Sequence, residues 1–221
     1  MYEPRTTLLI RHAQASFGSS NYDQLSQIGI EQARKLGRHL KGAHCEFQAV
    51  YMGRLLRHRQ TLDHILESGL QMPTPQMTSA LNEYDSGALI DSLKVGTSQM
   101  DTIEKHFKAL RQALRLWMSD SIAPKGMPSY AEFKAGLEDL LRTIRSQHDG
   151  LVLVVTSGGP IATLIASLIE TNPDSTISLN YRIRNASITE LAHDTKRHHL
   201  VGLNHVDHLV EPGDPKWITS V

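Results

Sequence analysis

Cysteine is nearly absent. The 221-residue chain has one, Cys45, so no disulfide can close within it, which fits a reducing cytoplasm. Long apolar runs are missing as well. Met1 to Thr7 holds none, and Leu8-Leu9-Ile10 is too short for a membrane span or the core of a signal peptide. No excess of one charge exists, since Lys plus Arg and Asp plus Glu number 23 each. Nothing global therefore draws the chain to nucleic acid or an anionic membrane. There is no repeat, no low-complexity tract and no linker rich in Gly, Pro or Ser. These absences predict a cytoplasmic protein whose partner is a small molecule, and they leave its oligomeric state open.

What is present is ordinary globular composition, 40% hydrophobic and 21% charged, on a chain long enough to bury roughly 70% of its unfolded surface. Thr6-Thr7-Leu8-Leu9-Ile10 reads as a short buried strand that ends in polar Arg11-His12. Ser26 is placed to cap a helix carrying Ala33, Leu36, Gly37 and Leu40 on one face. A strand follows at Gln48 to Tyr51, then a helix with Leu55, Leu62, Ile65 and Leu66 as its buried side.

Met100, Ile103, Phe107, Leu110, Leu114 and Trp117 recur at helical spacing. After Pro124-Lys125-Gly126-Met127-Pro128, a second stripe runs through Tyr130, Phe133, Leu137, Leu140, Leu141 and Ile144. Together they predict a helical hairpin packed on the sheet. Leu151 to Val155 is a continuous apolar run, the pattern of a strand covered on both faces. Thr156-Ser157-Gly158-Gly159-Pro160 leads from it into a helix bearing Ile161, Leu164, Ile165 and Leu168, with Pro160 in the first turn. Ala186 to Leu191 and His198 to Leu203 read as a closing pair of strands.

The expected fold is therefore α/β, three-layered, with a mostly parallel open sheet flanked by helices. Residues 1–221 form one domain, with the hairpin inserted at about 97–148. In such sheets ligands bind beyond the carboxyl ends of the strands. Arg11-His12 and Ser157-Gly158 both fall there.

Taken singly, these residues have bland explanations. His12 can be a satisfied histidine at a strand end, and Glu83 an ordinary loop carboxylate. Arg57, beside Arg54 and Arg59, reads as part of a solvated helix face. Their ordered context changes that. Leu8-Leu9-Ile10-Arg11-His12-Ala13-Gln14-Ala15 resembles the signature of the histidine phosphatase superfamily, the phosphoglycerate-mutase-like proteins. Leu25-Ser26, Gly29 and Gln32-Ala33 resemble its first helix. Leu55-Leu56-Arg57-His58-Arg59-Gln60-Thr61 resembles its helix with a second phosphate-binding arginine. Leu81-Asn82-Glu83 with Gly87-Ala88-Leu89 is similar to its proton-donor segment.

The resemblance implies phosphomonoester hydrolysis through a phosphohistidine, by an enzyme of the histidine phosphatase type that uses no cofactor or metal. Arg11 and Arg57 would hold the phosphate by paired, permanently charged hydrogen bonds. His12 would attack phosphorus, and Glu83 would protonate the leaving alkoxide. Ser16, Ser157 and Gly158 would complete the substrate site.

Four segments depart from the family pattern. Ala13 replaces the usual glycine, Gly18 a frequent asparagine, and Ile90-Asp91 a Glu-Gly or Gln-Gly pair, which argues against a glycolytic mutase. The largest departure is Ser157, where the family usually has a second histidine. Losing a charge-assisted donor is worth roughly 1.5–3 kcal/mol, and removing one preorganised donor slows turnover by about 10²–10³-fold. The expectation is a phosphatase weakened at Ser157. The plainest role for Ser157 is an N-cap. Two alternatives accompany this expectation. One is a non-catalytic sensor or scaffold that binds a phosphorylated ligand. The other is a metal-dependent hydrolase using His193, His198, His199, His205 and His208, with His205 or His208 alternatively reaching the pocket to replace the missing histidine.

Overall fold

The first strand is the hub of the molecule. In the computed structural model, which describes residues 5–16, 23–93, 102–210 and 215–220, β1 (Thr6–Arg11) is buried along its whole length. It lies between β4 (Leu151–Thr156), parallel to it, and β5 (Ile188–His193), antiparallel. The six-stranded sheet has the order β3-β2-β4-β1-β5-β6, with β2 at Phe47–Met52, β3 at Gln76–Met77 and β6 at His198–His205. Pairings among β3, β2, β4 and β1 are parallel, and β5 and β6 close the sheet as an antiparallel pair. The mostly parallel open sheet expected from the sequence is thus present.

Each face of the sheet carries its own core, because alternate residues of a strand point to opposite sides. Leu8, Ile10, Val50, Leu153 and Val155 pack against Leu36 and Leu40 of α1 (Gln27–Gly42) and Leu62 and Ile65 of α2 (Leu56–Leu66). Leu9, Tyr51, Val152 and Val154 pack on the other side against α5 (Tyr130–Gln147) and α6 (Gly158–Leu168). Ser26 caps α1 by accepting from the Gly29 N–H at 3.0 Å.

Several local expectations need correction. Leu66 is exposed at the end of α2, and Leu55 is the residue before its first turn. The helical pair is divided: α5 lies on the sheet, but α4 (Ile103–Met118) does not. Its Leu110, Leu114 and Trp117 form a separate cluster with α3 (Ser86–Asp91) and α7 (Pro173–Asn180), two helices the apolar pattern did not announce. The Trp117 ring meets Tyr130 and Phe133 of α5 at centroid distances of 5.2 and 5.3 Å. Ala186 takes a left-handed conformation, φ 54°, so β5 begins two residues later than expected. Met100 and Gly18 fall outside the described residues. Among the described residues no helix is long and apolar enough to cross a membrane.

Candidate active site

Register decides what meets at the carboxyl end of the sheet. Arg11 pairs with Thr156 across β1 and β4, and the His12 N–H donates to the Thr156 carbonyl at 2.8 Å. The next residue of each strand is His12 on one side and Ser157 on the other. α2 and the 81–85 segment reach the same place from β2 and β3. Arg11, His12, Arg57 and Glu83, far apart in sequence, share one pocket of about 330 Å³. Leu55, Tyr84, Phe107, Leu110, Asn180 and Tyr181 supply most of its remaining wall.

The chemistry of His12 follows from its hydrogen bonds. Nδ1 lies 2.8 Å from the Ala13 carbonyl. A carbonyl can only accept, so Nδ1 carries the proton and Nε2 keeps its lone pair. Arg57 Nε donates to that Nε2 at 3.2 Å. Burial, followed by the charges of Arg57 and Arg11 and the neighbouring His58, holds the imidazole well below its ordinary pKa. The ring is neutral and nucleophilic at neutral pH. Ala13 has no left-handed backbone, and its N–H donates to Thr61 Oγ1 at 3.0 Å.

Both arginines are buried, unlike their exposed neighbours Arg54 and Arg59. Arg11 donates to the Ile183 carbonyl. Arg57 Nη1 pairs with Asp23 Oδ1 at 2.5 Å, while Asp23 Oδ2 accepts from the Leu56 N–H at 2.7 Å and so caps α2. Asp23 was not visible as a site residue from sequence, because its two partners lie more than thirty positions downstream.

Glu83 sits against the first turn of α6, accepting from the Gly159 N–H. A Cβ at position 159 would lie 2.1 Å from Glu83 Oε1 and 2.6 Å from the Tyr84 ring, so only glycine admits this approach. Burial is the main influence on the carboxyl and raises its pKa; the Gly159 contact and the two arginines oppose it. Tyr84 Oη accepts from Asn180 Nδ2 at 2.6 Å on the same wall.

Ser157, Gly158 and Ser16 are placed differently. None lines the pocket. Gly158 opens α6, and the Ser16 N–H bonds the Gln24 carbonyl at 2.8 Å. Ser157 occupies the N-cap position, yet its side chain caps nothing. Instead Ser157 Oγ lies 2.7 Å from Nε2 of His58, a buried residue that sequence reasoning passed over. The C-terminal histidines scatter. His193 pairs with His198 near the amino end of β1, opposite His12. His208 packs on His39, and His199 on Asp194. Neither His205 nor His208 lines the pocket. Among the described residues no three His, Cys, Asp or Glu side chains are grouped to hold a metal.

Residues 7–206 match the family model of the histidine phosphatase superfamily (branch 1). The chain belongs to that superfamily. A 2,3-bisphosphoglycerate-dependent phosphoglycerate mutase of Lactobacillus johnsonii is 37% identical over 106 residues, which spans only 45% of this chain and 44% of that protein. The mutase of the same name from Bartonella quintana is 29% identical over 188 residues, covering 79% and 86% of the two chains. The crystal structure of phosphoserine phosphatase from Entamoeba histolytica with 3-phosphoglyceric acid superposes with a TM-score of 0.66 at 20% identity, covering 93% and 99%. The fold is therefore phosphoglycerate-mutase-like. The proteins it is similar to are named as phosphoglycerate mutases and a phosphoserine phosphatase.

Proposed function

We propose that the protein is a phosphomonoesterase that works through a phosphohistidine on His12. The observation that carries the reading is the neutral His12 ring with an unprotonated Nε2 that accepts from Arg57 Nε, in a pocket shared with Arg11 and Glu83. An arriving phosphate dianion replaces the His12–Arg57 contact with charge-assisted bonds to Arg57 and Arg11. His12 Nε2 attacks phosphorus as the ester P–O bond breaks. Glu83, whose carboxyl pKa is raised by burial, gives its proton to the departing oxygen. The resulting carboxylate then takes a proton from water as that water attacks the phosphohistidine, releasing phosphate and free His12. No residue of the scheme calls for a metal or cofactor.

The rest of the described wall is largely apolar and aromatic, through Leu55, Phe107, Leu110 and Tyr181. Such a wall suits a phosphate ester of an apolar or aromatic alcohol better than a second phosphate or carboxylate, and so favours hydrolysis over mutase chemistry. The loss of an imidazole at position 157 favours a second reading, a non-catalytic binder of phosphorylated ligands. Rapid-quench labelling with a ³²P-labelled aryl phosphate separates the two. Acid-labile, base-stable label on His12 with multiple turnover is expected, and His12→Ala abolishes both. Thermal stabilisation by phosphate without label or turnover would overturn the phosphatase.

A further inference from the structure

The scheme above needs His12 held still, and part of its support comes from the segment at residues 215–220, some 200 positions away. That segment meets the buried amides of Gln32, on α1, and Asn185, just before β5. Neither amide lines the pocket, and nor does Thr219, which stands between them.

The hydrogen bonds form one circuit. The Gln14 N–H donates to Gln32 Oε1 at 2.8 Å. Gln32 Nε2 donates to the Trp217 carbonyl and to Thr219 Oγ1, each at 2.8 Å. Thr219 Oγ1 donates to Asn185 Oδ1 at 3.0 Å, and Asn185 Nδ2 donates to the His12 carbonyl at 3.2 Å. The circuit leaves the nucleophile's loop at Gln14 and returns to it at His12.

Backbone groups fix the direction of every bond. The Gln14 N–H can only donate, so the Gln32 amide turns its oxygen there and its nitrogen toward Trp217 and Thr219. That nitrogen has one hydrogen for the Trp217 carbonyl and one for the Thr219 hydroxyl. Thr219 then has its own hydrogen to give to Asn185 Oδ1. At the other end the His12 carbonyl can only accept, which independently turns the Asn185 nitrogen toward it. The two assignments, made from opposite ends, agree. All donors run the same way round, so each bond polarises the next.

What the circuit grips is a loop of three residues. The His12 N–H is held by the Thr156 carbonyl, and the Ala13 N–H by Thr61 Oγ1. The Ala13 carbonyl takes the His12 Nδ1 proton, the contact that leaves Nε2 bare. That contact spans one residue, so it lasts only while the peptides on either side keep their angles. Asn185 is itself braced, its N–H donating to the Thr219 carbonyl at 2.9 Å. The Ala186 N–H adds a second bond to the His12 carbonyl at 3.3 Å.

We propose that residues 215–220 are a strap that positions the nucleophile: Thr219 holds the His12 carbonyl through Asn185 and the Gln14 N–H through Gln32, and so keeps the His12 proton on Nδ1. Thr219, Asn185 and Gln32 are positioning residues. The strap rests on the phosphohistidine reading and deepens it, since what it secures is an unprotonated Nε2 turned toward phosphorus.

The test uses the full chain and a ³²P-labelled aryl phosphate, with every assay run below the variant's own melting temperature. Thr219→Val keeps the shape and removes the hydroxyl. It is expected to lower kcat and the single-turnover rate of His12 labelling by about 10²-fold, with KM nearly unchanged because both arginines stay in place. Thr219→Ser, which keeps the hydroxyl, is expected to restore most of both rates. Asn185→Ala cuts the circuit one link nearer His12 and is expected to cost as much, and the double variant no more than either. ¹⁵N shifts of His12 should show Nδ1 protonated in the wild type and a share of the other tautomer in Thr219→Val. Wild-type rates in Thr219→Val, a loss that Thr219→Ser does not restore, losses that multiply in the double variant, or a tautomer indifferent to the hydroxyl would each overturn the strap. Should Thr219→Val not fold, the rates and ¹⁵N shifts of Asn185→Ala decide the matter. A wild type that labels His12 and turns over no faster than Thr219→Val brings down the strap alone. A wild type that neither labels nor turns over brings down the phosphatase reading beneath it.

Discussion

Glu83 Oε2 accepts a hydrogen bond from the Gly159 N–H at 3.1 Å, which joins the segment after β3 to the first turn of α6. The contact aims a buried carboxyl into the pocket and leaves burial to raise its pKa.

Glu83→Gln should therefore lower kcat by about 10²–10⁴-fold for alkyl phosphates, and less for aryl phosphates whose leaving group needs no proton. In the wild type, kcat falls as pH rises through the raised pKa of Glu83, because the protonated form is the donor. That limb should vanish in the variant. Stability moves in the same direction. The native state holds this proton more tightly than the unfolded chain, so wild-type stability declines as pH climbs from the ordinary carboxylate range to the raised value. Above that window the glutamine variant should melt higher than the wild type, which thermal scans at two pH values would check.

Gly159→Ala forces a methyl onto Glu83 and Tyr84. Displacing the carboxyl should cost about 10²-fold or more in kcat, with KM for phosphate esters much less affected because both arginines stay in place. Steady-state kinetics would show it, and an unchanged kcat would separate Glu83 from the chemistry.

Asp23 serves Arg57 with one oxygen and α2 with the other, so two substitutions dissect it. Asp23→Asn keeps a cap for the Leu56 N–H but removes the charge that holds Arg57. KM should rise about ten-fold, the worth of the charge assistance. Asp23→Ala loses the cap too, about 1 kcal/mol, and should melt roughly 2–4 °C lower. Equal melting of the two variants would show that the cap contributes nothing.

Phe107 and Leu110 bring α4 to the pocket wall. Phe107→Ala should reduce kcat/KM for an aryl phosphate about ten-fold, consistent with roughly 1–2 kcal/mol of aromatic and apolar contact. A small alkyl phosphate should be nearly indifferent. Similar losses on both would place the effect in folding instead of recognition.

How much of this could be read in advance depended on the range over which each feature is determined. β4 was legible because Leu151 to Val155 is apolar without interruption, and α1 because Ser26 and the Ala33–Leu36–Leu40 stripe agree. Arg11, His12, Arg57 and Glu83 could be named from ordered segments that resemble a family, and the pocket gathers all four. His58 could not. Its neighbours on α2 are polar, and what buries it is space above Gly53 and a hydroxyl on β4's end. The division of the two long helices was hidden for a similar reason. Leu110 and Leu137 lie in equally regular stripes, and periodicity tells which face is buried without saying against what. α7 is short and weakly amphipathic, so it left little pattern to find.

The strand order has a consequence for synthesis. β1 emerges from the ribosome before its two neighbours, β4 and β5, which follow some 145 and 180 residues later. At about 5–20 residues per second, an apolar strand destined for the centre of the sheet waits roughly 7–30 seconds for its first partner. Until then Leu8-Leu9-Ile10 lacks both of the strands that flank it in the finished sheet.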